Sequence, residues 1–218
     1  MHRLLFEKTG RAVWISHLYL MRLFQRAFKR AGLKLTHTQG FNPRPSVSIA
    51  LPLPVGVSSV CELLDFQLED AVDCEKLPQL LNEKLVEGVR VLKAYDGGKK
   101  IRELTYLQCK LQLQYDAGVP EGTVDAISAL FKSEHVIVAK KTKSGIQDQD
   151  LIPMICSISG NQAGEKCVEL YALVCCQNPT LNPAQLIRAI EIYLPQYAPN
   201  FSTCMRMEIF DKNNEIFR

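Results

Sequence analysis

The sequence predicts an α+β fold made of two successive units, each with the element order βαββαβ. In the first half, strand-like apolar stretches at 3–8, 63–68 and 89–94 flank segments whose apolar residues recur at helical spacing. A similar succession of elements returns after residue 105. Between the halves lies a turn-rich, charged stretch, Asp96-Gly97-Gly98-Lys99-Lys100, which is typical of a linker. The pattern predicts tandem ferredoxin-like domains with antiparallel sheets, at 1–96 and 105–218, joined by a linker at 97–104.

The best-defined element of the first half is a helix from Ser16 to Ala31. Ser16 is a suitable N-cap because its hydroxyl can accept a free backbone N–H of the first turn. Gly32 stands where a left-handed residue ends a helix. The apolar side chains that recur at helical spacing, and so define a buried face, are Leu20, Phe24, Ala27, Phe28 and Ala31.

The other elements follow from shorter patterns. In the first half we expect extended segments at 35–38, 47–51 and 63–68, a helix capped by Asp73 that ends before Gly88, and a strand at 89–94. In the second half we expect a strand at 106–115, a helix at 121–133, extended segments at 136–139 and 154–158 around a polar loop at 140–150, a strand at 168–176, a helix from Asn182-Pro183 to about residue 193 and a strand at 205–210.

The composition is that of an ordinary globular protein. The chain has 218 residues, 47% of them hydrophobic, and a net charge of +3, which is too small to identify a nucleic-acid binder without its distribution. No signal peptide or membrane span is apparent, so we expect a cytoplasmic protein. The eight cysteines show no CxxC pair, and we expect free thiols, no metal and no cofactor.

A row of cations forms the back of the first helix. Arg22, Arg26, Lys29 and Arg30 are spaced so that they share the face opposite the apolar one. No acid interrupts the row between Ser16 and Gly32, so it lacks the salt bridges that usually accompany such a face. The row is therefore either a solvated helix surface or a binding surface for a phosphate-bearing partner.

A rigid loop follows the helix. Gly40 and two prolines would hold Phe41, Asn42 and Arg44 in fixed directions. A ring, an amide and a guanidinium suit stacking on a base or holding a phosphate, whereas the structural alternative is a turn whose Phe fills the core. A second Pro-rich loop at 52–56 precedes Ser59 and Glu62, and we expect His17, Gln39 and Glu62 to line the same pocket.

His17 lies in the first turn of the helix, on its apolar side. One interpretation is a hydrogen-bonded histidine at the edge of the core. The other is a group that contacts a ligand or transfers a proton, which makes His17 the candidate catalytic residue. A second histidine placed to complete an acid–base pair is not evident, although His37 is near in sequence.

These residues carry a resemblance to the radical-SAM-associated (radical-SAM-linked) bacterial proteins, a family of unknown function. The chain resembles that family at Ser16-His17-Leu18, Met21-Arg22, Arg26-Ala27, 30–32, 40–45, 52–56 and 59–62. Tyr19 stands where the family carries Asp. The resemblance implies a radical SAM enzyme as partner, because such proteins are encoded beside or fused to one, and the departure at Tyr19 argues against a family-wide acid–base reaction in this chain.

The predicted function is a non-catalytic or weakly catalytic accessory protein that binds a tRNA or rRNA and presents it to a radical SAM enzyme. Two further cationic clusters, Lys99, Lys100 and Arg102 and then Lys140, Lys141 and Lys143, favour RNA. Two alternatives stay open. One is a metal-independent endoribonuclease similar to CRISPR repeat-processing enzymes, and the other is an adaptor that docks an acidic protein surface.

Overall fold

A computed structural model describes residues 1–142 and 145–218 of the chain, without the side chains of 141 and 142. The described residues form four α-helices and ten β-strands, and all strand pairings recorded between them are antiparallel. The chain divides into two compact units, residues 1–101 with Arg218, and residues 102–217. The predicted α+β class with antiparallel sheets is confirmed.

The first unit contains four strands and two helices. Its strands lie in the order β4-β1-β3-β2. In chain order the elements are β1 (His2–Lys8), α1 (His17–Arg30), β2 (Val47–Ile49), β3 (Ser58–Phe66), α2 (Leu77–Asn82) and β4 (Val89–Asp96).

Both helices of the first unit pack on one face of its sheet. Phe6 of β1 meets Phe24 of α1 edge to face at 4.8 Å between ring centroids, and Phe28 lies 4.8 Å from Phe66 of β3. Leu77 of α2 joins the same apolar cluster. Burial of this many aromatic rings fixes α1 on the sheet, so the opposite face of α1 must point to solvent.

The second unit has the strand order β10-β5-β9-β8. Its elements are β5 (Leu104–Gln114), α3 (Thr123–Leu130), β6 (Ile137–Thr142), β7 (Gly145–Asp150), β8 (Ile155–Gln162), β9 (Cys167–Cys175), α4 (Ala184–Tyr193) and β10 (Phe201–Asp211). Strands β5 and β9 bury alternate residues, as expected for strands with one face in a core.

Two sequence expectations differ from the structure. The sequence predicts a polar loop at 140–150, but most of this stretch pairs as the separate ribbon β6–β7. Its polar side chains fit a ribbon that is exposed along much of β7, where hydropathy does not reveal a strand. The second helix is also shorter than expected: Asp73 accepts from the backbone N–H of Glu75, and α2 begins only at Leu77.

Candidate nucleic-acid interface

Helix α1 is positioned as its sequence predicts. The Ser16 hydroxyl oxygen accepts the backbone N–H of Tyr19 at 3.4 Å, and Gly32 adopts φ +74° just beyond the last turn. The buried residues of the helix are Leu20, Phe24, Ala27 and Phe28. Because this apolar face packs on the sheet, the side chains on the opposite side of the helix project into solvent.

The predicted row of cations is exposed along the whole length of α1. Arg22, Arg26, Lys29 and Arg30 are all exposed, and among the described residues none forms an ion pair with a carboxylate. Arg30 donates a hydrogen bond to the Lys84 carbonyl, so part of its guanidinium group is already engaged. The other three therefore retain their full capacity to bind an anion.

Two aromatic side chains flank the row. The residues Trp14 and Tyr19 are 71% and 65% exposed, although large aromatic residues are usually buried or partnered. The Arg22 guanidinium lies over the Tyr19 ring, 5.7 Å from its centroid. The sequence prediction includes neither ring, but Tyr19 precedes Arg22 by three residues and Arg26 by seven, which places all three on one helix face.

A groove of about 650 Å³ lies between these rings and the cations. Its lining includes Trp14, Tyr19, Arg22, Arg26, Arg30 and Val86. Two aromatic and three arginine residues thus line the groove together with apolar residues. Such a surface suits a planar, negatively charged ligand, for which stacking and phosphate contacts act together.

The loop at 52–56 supports Trp14. The Gly56 N–H donates to the Val13 carbonyl at 2.9 Å, and the Trp14 ring lies 3.5 Å from the position that a Cβ on Gly56 would take. Gly56 has φ +85°, a conformation that glycine adopts without strain. The role of the second Pro-rich loop is therefore to hold the segment that presents Trp14.

A second groove joins the row to the rigid loop. It has a volume of about 570 Å³, and its lining includes Arg26, Lys29, Lys34, His37 and Pro45. His37 and Pro45 pair across the base of the loop, while Arg26 lines both grooves. The base of the loop and the cation row thus share one continuous surface of the first unit.

The loop itself projects from that base. Thr38 and Arg44 close it, with the Thr38 N–H donating to the Arg44 carbonyl at 2.8 Å and the Arg44 N–H donating to Thr38 Oγ1 at 3.0 Å. Phe41 is fully exposed at its tip, and Gln39, Asn42 and Arg44 are exposed as well. The alternative in which Phe41 fills the core is excluded.

Two predicted site residues lie elsewhere than expected. His17 is exposed, because it lies one turn before Leu20, the first buried residue of α1. Glu62 is 1% exposed, on the strand β3, and its charge acts on the buried Lys8 ammonium. Glu62 is thus a buried residue of the sheet and does not line the exposed surface with Gln39.

The other cationic clusters are described only in part. Lys100 and Arg102 are exposed, and the Lys99 carbonyl accepts a hydrogen bond from Arg3 at 3.0 Å. Lys140 donates to the Thr180 carbonyl at 3.3 Å. Lys143 and the side chain of Lys141 lie outside the described residues.

The fold and this surface define an α+β protein with an exposed cationic and aromatic face. The chain belongs to a family described as "Uncharacterized protein conserved in bacteria (DUF2344)", whose model matches residues 2–183. No curated protein matches the chain. Within the described residues, no helix combines the length and apolar character that crossing a membrane requires.

The solved structures that match the chain include two that cover nearly all of it. One is the "Crystal Structure of a Cbf5-Nop10-Gar1 Complex", with a TM-score of 0.51, 11% identity and coverage of 95% of this chain but only 48% of the matched chain. The other is an unknown protein from Galdieria sulphuraria, with a TM-score of 0.27, 11% identity and coverage of 94% and 96%. The first likeness shows the fold alone, and this chain spans about half the length of that relative.

Proposed function

We propose that this protein is an accessory RNA-binding protein that presents a tRNA or rRNA element to a radical SAM enzyme. One observation carries the RNA part of the proposal. The exposed row of Arg22, Arg26 and Lys29 has no carboxylate partner among the described residues and borders the exposed rings of Trp14 and Tyr19. Cations beside exposed rings match the two groups of single-stranded RNA, its phosphates and its base faces.

The proposal includes a ferredoxin-like domain for each unit. In the first unit the strand order is fourth, first, third, second, and the same order describes β10-β5-β9-β8 once the ribbon β6–β7 is treated as an insertion. Two helices and four antiparallel strands in this order support the proposed domain type. Fold alone does not assign a function, so the RNA proposal depends on the surface of α1.

Spacing along α1 supports binding to a nucleic-acid backbone. Arg22, Arg26 and Arg30 recur every four residues, about 6 Å along the helix axis. Phosphates would bind along this row, while an unstacked base would lie on Trp14 or Tyr19, or on Phe41 beyond the second groove. Affinity would then come mainly from the cations, with the rings adding about 1–3 kcal/mol for each stacked base.

The radical SAM partner is proposed from the motif resemblance. In this proposal the protein holds the RNA and the enzyme supplies the chemistry. The partner step is tested by mixing the purified protein with the radical SAM protein encoded in the same genome and measuring association by sedimentation velocity. Failure to associate at micromolar concentrations would remove the partner and leave a free-standing RNA-binding protein.

The RNA step is tested with a matched pair of triple variants. In one, Arg22, Arg26 and Lys29 become Ala. In the control, Arg90, Lys93 and Lys132 become Ala, which removes the same charge from exposed positions outside both grooves. Binding of tRNA and rRNA fragments is measured by filter retention at several salt concentrations.

We expect the first variant to bind more weakly to all sequences and the control to bind as the wild type does. The slope of log affinity against log salt should fall by roughly 0.7–0.9 for each phosphate that is no longer neutralised, and so by roughly 2.1–2.7 for three phosphates. Equal binding by the two variants would make the row a solvated helix surface. RNA-independent capture of an acidic protein through the row would favour the adaptor.

A further inference from the structure

Three side chains with metal-binding atoms meet in the first unit, and none of them lines either groove. His2 and Asp96 are directly opposite each other in the antiparallel pair β1–β4. Cys74 lies in the segment that leads into α2. Their Nδ1, Oδ1 and Sγ atoms lie within 4.8 Å of one another.

The distances between these atoms suit a tetrahedral ion. The Cys74 Sγ is 3.8 Å from His2 Nδ1 and 3.6 Å from Asp96 Oδ1. Zinc bonds of about 2.3 Å to sulfur and about 2.0–2.1 Å to nitrogen or oxygen, at tetrahedral angles, place sulfur about 3.6 Å from either atom. Two of the three distances between ligand atoms are therefore already close to those that a tetrahedral zinc ion requires.

Only the distance between His2 Nδ1 and Asp96 Oδ1 has to change. His2 Nδ1 and Asp96 Oδ1 are in direct hydrogen-bond contact, and an ion between them would require about 3.4 Å. Asp96 is exposed and His2 is half-buried, so a rotation of the carboxylate needs no repacking of the core. A metal ion would replace this hydrogen bond: His2 Nδ1 gives up the proton that it donates, which makes its lone pair available, and the accepting Asp96 oxygen binds the ion instead of the N–H.

The fold holds the three groups in place without a metal. The His2 ring packs on Phe66, with 5.2 Å between ring centroids, and Cys74 lies against the apolar cluster that contains Leu77. Ligands fixed by strand pairing and by packing lose little conformational freedom when an ion binds. This separates the trio from exposed acidic groups that gather without a function.

We propose that His2, Cys74 and Asp96 form a binding site for a zinc-class divalent cation. Nitrogen, thiolate and carboxylate ligands together favour Zn²⁺ over Mg²⁺ or Ca²⁺, which take oxygen ligands. The neighbouring Asp73 already accepts the Glu75 N–H at 3.0 Å and lies 3.6 Å from the Lys76 ammonium. The fourth position of the ion is therefore left to water or to an exogenous ligand.

The ion would tie the segment before α2 to the strand pair β1–β4. Cys74 belongs to the connection between β3 and α2, whereas His2 and Asp96 belong to β1 and β4. Binding to the folded state would stabilise it in proportion to the logarithm of the free zinc concentration above the dissociation constant. None of the three ligands belongs to the proposed RNA surface.

The test uses the full chain without a polyhistidine tag, stripped with a chelator and dialysed. Co²⁺ is titrated first, because tetrahedral cobalt with a thiolate ligand gives visible ligand-field bands and a sulfur-to-metal charge-transfer band. Zn²⁺ is then added in competition, and bound metal is measured by mass spectrometry. Cys74→Ser and Asp96→Asn test the ligands, and Cys156→Ser, which removes an exposed thiol elsewhere, is the control.

We expect one metal ion per chain, displacement of Co²⁺ by Zn²⁺ and a higher melting temperature with zinc. Cys74→Ser should abolish the charge-transfer band, Asp96→Asn should weaken zinc binding at least tenfold, and Cys156→Ser should change neither. Circular dichroism checks that each variant is folded. Absence of stoichiometric binding, or a cobalt spectrum that survives in Cys74→Ser, would overturn the proposal.

Discussion

Lys8 and Glu62 are both buried, on the neighbouring strands β1 and β3, and the negative charge of Glu62 acts on the Lys8 ammonium. Burial lowers the pKa of Lys8, and the negative charge of Glu62 opposes that shift. The Lys8 ammonium also donates to the Val13 carbonyl at 3.1 Å. A buried charge in the sheet thus holds the short segment that presents Trp14.

The first prediction concerns this pair. Glu62→Gln leaves the Lys8 ammonium buried without its counter-charge, so the variant should lose about 3 kcal/mol of unfolding free energy in urea. The Lys8→Met, Glu62→Leu double variant should recover part of that loss, because it removes both buried charges. A double variant that is less stable than Glu62→Gln would contradict this account.

The pair also gives a pH dependence. The pKa of Lys8 is lowered in the folded state, so the unfolded chain binds more protons just below the ordinary lysine pKa of 10.5. The contribution of Lys8 therefore makes stability rise with pH in that window. Lys8→Met should remove this rise, which urea unfolding at a series of alkaline pH values can measure.

A second prediction compares two glycines with similar left-handed backbones. Gly88 has φ +84° and Gly97 has φ +76°, so alanine is strained at both. At Gly88 a Cβ would also lie 2.4 Å from the Thr9 carbonyl oxygen and 2.9 Å from the Ala12 Cβ, whereas at Gly97 it would meet nothing within 4 Å. Gly88→Ala should therefore be the less stable variant, by about 1–3 kcal/mol. Equal melting temperatures of Gly88→Ala and Gly97→Ala would mean that residues 9–12 move to make room for the added methyl group without loss of stability.

The third prediction is acid sensitivity in the second unit. Glu169 contacts the Lys110 ammonium at 2.7 Å and accepts from Gln112 and Tyr171 at 3.0 Å and 2.9 Å. These contacts, Lys110 first, lower the pKa of Glu169 from 4.5 to about 2. A depressed carboxyl pKa stabilises the fold above pH 4.5, and that contribution is lost as the pH falls towards 2.

Glu169→Gln should accordingly be less stable at neutral pH and should lose less stability between pH 4.5 and pH 2 than the wild type does. Urea unfolding followed by circular dichroism at each pH measures both effects. Glu121→Gln, at an exposed position without an ion pair among the described residues, is the control. A wild-type acid profile in Glu169→Gln would show that the Lys110 ion pair does not form in solution.

The fourth prediction separates binding from folding at the loop tip. Phe41 is fully exposed, so Phe41→Ala should leave the melting temperature unchanged. If a base stacks on the ring, RNA affinity should fall by about 1–3 kcal/mol. Phe201→Ala removes another exposed ring, outside both grooves, and should leave RNA affinity unchanged. Loss of stability in Phe41→Ala would instead indicate that the ring has a packing partner.

The fifth prediction concerns catalysis. We expect tRNA and rRNA fragments to remain intact when incubated with the purified protein in EDTA. His17 is exposed, and in the described part of the chain it has no hydrogen-bond partner that would orient it as a base. Denaturing gels follow the RNA. Cleavage that disappears in His17→Ala would establish the endoribonuclease alternative.

Helix α1 shows what local sequence can determine. Its start at Ser16, its end before Gly32, its buried face and its exposed cations all follow from one cap, one glycine and a repeat of 3.6 residues. Each of these signals lies within a turn or two of the feature it predicts. The Phe41 loop follows in part, since its rigid residues predict a projecting turn but leave open whether the ring is buried.

The remaining features depend on contacts between residues far apart in the chain. Nothing local shows that Glu62 is buried beside Lys8, because an acid in a strand is usually exposed. His2, Cys74 and Asp96 come together only because β1 pairs with β4 and because the segment before α2 packs beside them. Strand order and packing decide such neighbours, and the sequence by itself determined only which residues were available to meet.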